Sequence, residues 1–126
     1  MLTSAELVAF MPSTDLDRAE RFYVGVLGLA TVEVSPYALV VQSGPTQVRV
    51  TKVEHLDPQP FTVLGWTVGD IRSSLADLVE HGVTAERFNG MGQDEHAVWT
   101  APGGAQVGWF KDPDGNLLSV TQLPAD

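Results

Sequence analysis

An internal duplication places the tightest constraint on what this chain can fold into. The stretches Thr14-Asp15-Leu16-Asp17-Arg18-Ala19 and Gly69-Asp70-Ile71-Arg72-Ser73-Ser74 begin 55 residues apart, and each follows an apolar run and opens an amphipathic segment. The chain reads as one supersecondary unit used twice.

In the first copy, residues 7–11 are apolar enough for a buried strand, and Ser13, Thr14 and Asp15 supply side-chain oxygens that accept from the free N–H groups of a helix start. Leu16, Ala19, Tyr23, Val26 and Leu27 then recur at three- and four-residue spacing, which gathers them on one helical face, and Gly28 can take the left-handed conformation that ends the helix. Residues 31–34, 38–42 and 46–53 are rich in β-branched side chains and separated by turn residues, so they are predicted strands. The first module is therefore β-α-β-β-β over about residues 5–54. Residues 55–60, His55-Leu56-Asp57-Pro58-Gln59-Pro60, form the linker, because two prolines resist both helix and central strand.

The second module, about residues 61–123, repeats that order. A strand over 61–68 leads to the cap Asp70 and a helix whose buried stripe is Ile71, Leu75, Leu78 and Val79, stopped at Gly82. Strands are predicted over 83–87, 96–100, 106–110 and 117–122, which is one more than the repeat needs. The segment 96–100 is read as an extension feeding a hairpin turned by Pro102-Gly103-Gly104. Asp112-Pro113-Asp114-Gly115-Asn116 is a second turn, with proline pre-setting one φ.

Composition narrows the chemistry. The 126 residues fit one domain that buries roughly two-thirds of its unfolded surface. With no cysteine, disulfides, thiolate metal sites and cysteine nucleophiles are excluded. Seven basic against sixteen acidic residues give a formal charge of −9, which repels a phosphate backbone, so nucleic acid is not an expected partner. No apolar run approaches the roughly 20 residues that span a bilayer, and no membrane partner is expected. Met1-Leu2-Thr3-Ser4-Ala5-Glu6 lacks the basic and apolar regions of a secretory signal, which makes the cytoplasm the expected location.

Asp15-Leu16-Asp17-Arg18-Ala19, Phe22-Tyr23 and Val26-Leu27-Gly28-Leu29, followed later by Trp109-Phe110-Lys111-Asp112-Pro113-Asp114-Gly115-Asn116, carry a family likeness. In this order, and with the repeat, the chain resembles the vicinal oxygen chelate superfamily, which includes glyoxalase I, extradiol dioxygenases and bleomycin-resistance proteins. The resemblance runs from about residue 7 to about residue 122. It implies an α+β fold in which two βαβββ modules form a cupped eight-stranded mixed sheet with helices on the convex face. It also implies a homodimer, and a small-molecule ligand held inside the cup.

The metal site of the superfamily is where the sequence departs from the pattern. The resemblance places a ligand on the first strand of each module and another on its last strand. Those positions fall at Val8, Val63 and Ser119, with the fourth near Arg49, and a guanidinium repels a metal. Zinc, nickel or iron needs about three or four imidazole, carboxylate or thiolate donors. No metal and no other cofactor is expected at these positions. A relocated divalent metal would have to use Glu54-His55, His81 or Asp94-Glu95-His96. His81, in the last turn of the second helix, suits the helix dipole, His55 precedes the proline-rich linker, and neighbouring residues of an extended chain alternate faces.

Strand alternation suggests what else faces the ligand. If Val8 points into the cup, so does Phe10, and Val63 brings Gly65 and Thr67 with it. Trp66 then belongs to the helix side. Trp99 and Trp109 sit on neighbouring predicted strands and form either plain core or one wall of the site. Arg49 alternates with Val48 and Val50, so it is either a cup residue able to hold a carboxylate or phosphate or a member of a structural ion pair. The loop from Asn89 to Glu95 is either an ordinary connection or a lid that brings Met91 and Gln93 to the ligand.

Three functions fit these residues. The first is a metal-free protein that binds or sequesters a small aromatic or cationic molecule through Phe10, Arg49, Gly65, Met91, Gln93, Trp99 and Trp109. The second is a metal-dependent lyase, isomerase or dioxygenase, which the ligand positions contradict. The third is a metal-free lyase or isomerase with Glu95 or His96 as acid–base near Arg49.

Overall fold

Both copies of the duplicated motif start a helix in the same way. Asp15 and Asp70 have extended backbones, and each side chain accepts from the N–H three residues on, at 3.1 Å from Arg18 N and 3.1 Å from Ser73 N. Such caps satisfy N–H groups that the helix itself leaves open. The computed structural model describes residues 1–125. It divides into two compact units, Met1–Asp57 and Pro58–Asp126. Each unit carries its own four-stranded mixed sheet, so the eight strands that the resemblance implies in one sheet are divided equally between two.

The first unit runs β1 (Val8–Ser13), α1 (Leu16–Glu20), a π-helical segment (Arg21–Val26), β2 (Ala30–Val34), β3 (Ala38–Ser43) and β4 (Thr46–Lys52). The sheet order is β1-β4-β3-β2, with β1 parallel to β4 and the other pairs antiparallel. The predicted helix exists, but its second half is wider than an α-helix: Leu27 N bonds Phe22 O at 2.9 Å, five residues back. Adjacent Phe22 and Tyr23 in this segment are both buried, with rings perpendicular at 5.1 Å. Met11, Leu39, Val41, Val48 and Val50 of the sheet are buried as well.

The second unit runs β5 (Thr62–Thr67), α2 (Ile71–Glu80), β6 (Trp99–Thr100), β7 (Gln106–Lys111) and β8 (Leu117–Gln122), in sheet order β5-β8-β7-β6. Ile71 and Leu75 of α2 are buried with Phe110, Leu118 and Val120 of the sheet. The helix sits so close that a Cβ on Gly108 would lie 2.8 Å from Leu75 Cδ1. The 112–116 turn forms as expected, with Asp112 Oδ1 accepting from Asp114 N at 3.0 Å and Asn116 N at 2.9 Å.

The predicted strand over 83–87 does not form. Its backbone makes one bond to the sheet, Glu86 N to Trp109 O at 2.8 Å. The Gln93 side chain instead takes Glu86 O at 2.9 Å and Phe88 N at 2.7 Å, so a side-chain amide occupies bonds a ladder would need. The second-strand place in this module belongs to the two-residue β6.

Candidate functional site

On the face of the second sheet away from α2, three strands bring small and aromatic residues into register. Trp109 on β7 lies opposite Ser119 on β8, and Ser119 lies opposite Gly65 on β5. Trp109 alternates with Gly108 and Phe110, which face α2, and so turns its indole the other way. Its Nε1 donates to Thr62 Oγ1 at 3.0 Å. Phe88 meets the indole edge to face at 5.5 Å, and Trp99 lies tilted at 6.2 Å. Trp99 pairs in register with Val107, so the two tryptophans are diagonal neighbours across the hairpin.

Trp109 and Phe88 border a cavity of about 190 Å³ lined also by Pro60, Phe61, Thr62, Met91 and Leu117. The volume is below the roughly 300 Å³ at which drug-sized pockets begin, so it suits a one- or two-ring molecule. Among the residues picked out from sequence, Met91 and Trp109 line this cavity, and Trp99 backs Trp109. Phe61, Thr62, Phe88 and Leu117 also line it, and sequence reading missed them. A β-bulge explains Thr62: the register shifts between Thr62 and Leu64, so Val63 is an extra residue and simple alternation along β5 fails. Phe88, beside the Asn89-Gly90 turn, carried only the signal of an aromatic residue at a loop entrance.

The other candidates have different surroundings. The Gln93 amide is spent on backbone, with Nε2 donating to Ala97 O at 2.8 Å in addition to its bond to Glu86. Asp94 organises the same loop, its Oδ1 accepting from His96 N at 2.8 Å and Val98 N at 3.0 Å while Oδ2 pairs with Arg72. The Val98 hydrogen bond holds its carboxyl below the ordinary carboxylate range; burial opposes this, and Arg72 and the His96 N–H add to the lowering. The loop presents Glu95 and His96 at its surface, 3.6 Å apart. They line a separate cavity of about 350 Å³ with Arg72, Arg87, Leu75 and Val79. His81 Nδ1 is 2.7 Å from Asp77 O, a helix-end contact. In the first unit, Phe10 is 67% exposed and in register with Arg49. Arg49 is half-buried, alternates with buried Val48 and Val50, and has no ion-pair partner among the described residues.

The duplicated fold and its order of motifs agree with a family comparison, which matches residues 7–120 to the Glyoxalase/Bleomycin resistance protein/Dioxygenase superfamily. The chain belongs to that superfamily. Solved structures share the superfamily fold. TnmS3, an antibiotic binding protein from Streptomyces sp. CB03234, is 23% identical with a TM-score of 0.75, covering 99% of both chains. Lactoylglutathione lyase from Agrobacterium tumefaciens is 19% identical with a TM-score of 0.75, covering 97% of this chain and 96% of that one. A superfamily member from Sphaerobacter thermophilus DSM 20745 is 24% identical, also at 0.75, covering 97% and 99%. Among curated proteins, none matches this sequence.

Superfamily membership raises the question of a metal, and the residues do not fit one. The four expected positions hold Val8, Arg49, Val63 and Ser119. Val63 sits in the bulge, Arg49 is a fixed cation, and Ser119 offers a single neutral hydroxyl. No group of three or more His, Cys, Asp or Glu side chains suited to a metal occurs among the described residues. No helix among them is long and apolar enough to cross a membrane.

Proposed function

We propose that this superfamily member is a metal-free cytoplasmic binding protein that holds a small aromatic molecule in the cavity beside Trp109. The observation that carries the reading is the fixed indole: Thr62 pins its N–H, Phe88 and Trp99 flank it, and Met91 and Phe61 complete an open apolar wall. A plain core tryptophan would be sealed, whereas Trp109 remains partly exposed beside a cavity. Aromatic walls with one adaptable methionine suit stacking against a planar ring. The net charge of −9 favours ligands with a positive group over anions. The fold neighbour named as an antibiotic binding protein is consistent with a binding role.

The reading includes a homodimer. β1 and β5 are edge strands of their sheets, and each module exposes large apolar side chains at that edge: Val8 and Phe10 in one, Phe61 and Val63 in the other. Open edges with apolar side chains are surfaces that proteins cover.

Titration with one- and two-ring aromatics, including indoles, quinolines and naphthols, tests the reading. Saturable tryptophan quenching with a raised melting temperature is expected. A panel that changes neither fluorescence nor melting temperature would overturn it.

A further inference from the structure

We propose that Ser119 anchors a polar substituent of the ligand, so that the molecule bound is an aromatic ring carrying a hydroxyl, carbonyl or amine at its inner end. The inference rests on the aromatic-site reading above. Four polar residues are more than nine-tenths buried in the described chain: Ser13, Asp112, Asn116 and Ser119. Ser13 donates to Asp15 O at 3.1 Å, and Asp112 and Asn116 bond each other at 2.9 Å. The Ser119 hydroxyl has no hydrogen-bond partner among the described residues, and its oxygen keeps contact with solvent although the residue is 8% exposed. A hydroxyl that no protein group occupies and that solvent still reaches can donate to or accept from a ligand atom that replaces its water.

The placement of this hydroxyl points to the ligand. Ser119 is in register with Trp109 on one side and Gly65 on the other, and cross-strand partners share a sheet face. Its Oγ overlies Gly65, where an added Cβ would come within 2.6 Å of it. Any side chain at 65 would fill the niche that the hydroxyl uses. Leu117, two residues earlier on the same face of β8, lines the aromatic cavity. Ser119 therefore stands about 7 Å further along the strand, next to the indole, within reach of a substituent on a ring that stacks there.

The test compares 2-naphthol with naphthalene, by ligand-observed NMR, on the wild-type protein and on Ser119→Ala. Wild type is expected to prefer 2-naphthol by about fivefold, the worth of one net hydrogen bond, and Ser119→Ala to lose that preference while still binding naphthalene. Ser119→Ala should also melt close to the wild-type temperature, because no protein hydrogen bond is lost. A preference that survives in Ser119→Ala, equal affinity of wild type for both probes, or a clear fall in melting temperature would overturn the anchor and leave the aromatic site standing. Failure of both probes to bind wild type would remove the aromatic site and the anchor with it.

Discussion

Trp109 and Thr62, 47 residues apart in sequence and on strands separated by β8, are joined by a 3.0 Å hydrogen bond from the indole N–H to the threonine hydroxyl. The bond fixes the orientation of a ring that lines an open cavity. Thr62→Val keeps the shape and removes the acceptor. We expect a loss of about 1 kcal/mol of stability and aromatic affinity weakened about threefold or more. Denaturant melts and a 2-naphthol titration check this, and unchanged affinity would mean that the indole needs no pinning.

Trp109→Leu should remove most ligand-dependent quenching and weaken binding of aromatic probes about tenfold, since a stacked aromatic pair is worth about 0.5–1.5 kcal/mol beyond its buried area. Trp66, which stacks on Phe110 at 6.4 Å, is the control. Trp66→Phe should leave the quenching amplitude largely intact, and the opposite pattern would move the site to the other face of the sheet.

Gly65→Ala places a Cβ 2.6 Å from Ser119 Oγ and 3.3 Å from Ser119 O. The hydroxyl can rotate away, but the carbonyl belongs to the sheet ladder. A loss of about 1–3 kcal/mol is expected, as for other overpacked sites. Adding Ser119→Ala should restore part of it. Additive losses in the double variant would show that the two positions do not share this niche.

Asp94 contributes stability with a definite pH sign. Its carboxyl is held below its ordinary pKa by Val98 N–H and Arg72, so the contribution is complete above the unfolded-state value of 3.8 and disappears as pH falls through the lower folded-state value. Asp94→Ala should cost about 1–2 kcal/mol at pH 7, from two lost backbone hydrogen bonds and a partly solvated ion pair. The gap between wild type and variant in melting temperature should narrow below the unfolded-state value. A gap independent of pH would contradict the assigned cause.

Self-association is tested by sedimentation at micromolar concentration. A dimer is expected, with Phe10→Asp shifting it toward monomer because a charge replaces an exposed apolar side chain on an edge strand. Wild-type protein that sediments only as monomer would remove the dimer.

The duplicated architecture was legible because its signals are local. The two caps, the strand periodicity and the glycine- and proline-marked turns each depend on a few adjacent residues, and the two copies support one another. The helix in the first module was legible as a stripe, but its wide second half was not, since a hydrogen bond such as Leu27 N to Phe22 O, five residues back, leaves no mark in the spacing of apolar residues. The segment 83–87 had the composition of a strand and lost its ladder to the Gln93 amide.

The candidate site divides along the same line. Sequence alone determined that two βαβββ modules would form, that cysteine chemistry was excluded, and that Val8, Arg49, Val63 and Ser119 make a poor metal donor set. It also marked Trp99, Trp109 and Met91. Tertiary structure decided that Phe61, Thr62, Phe88 and Leu117 join Trp109, that Glu95 and His96 line another cavity, and that Ser119 lies between Gly65 and the indole. The reason is physical: composition and periodicity act over a few residues, whereas a bulge on β5 and the register of three strands are settled only when the whole sheet packs.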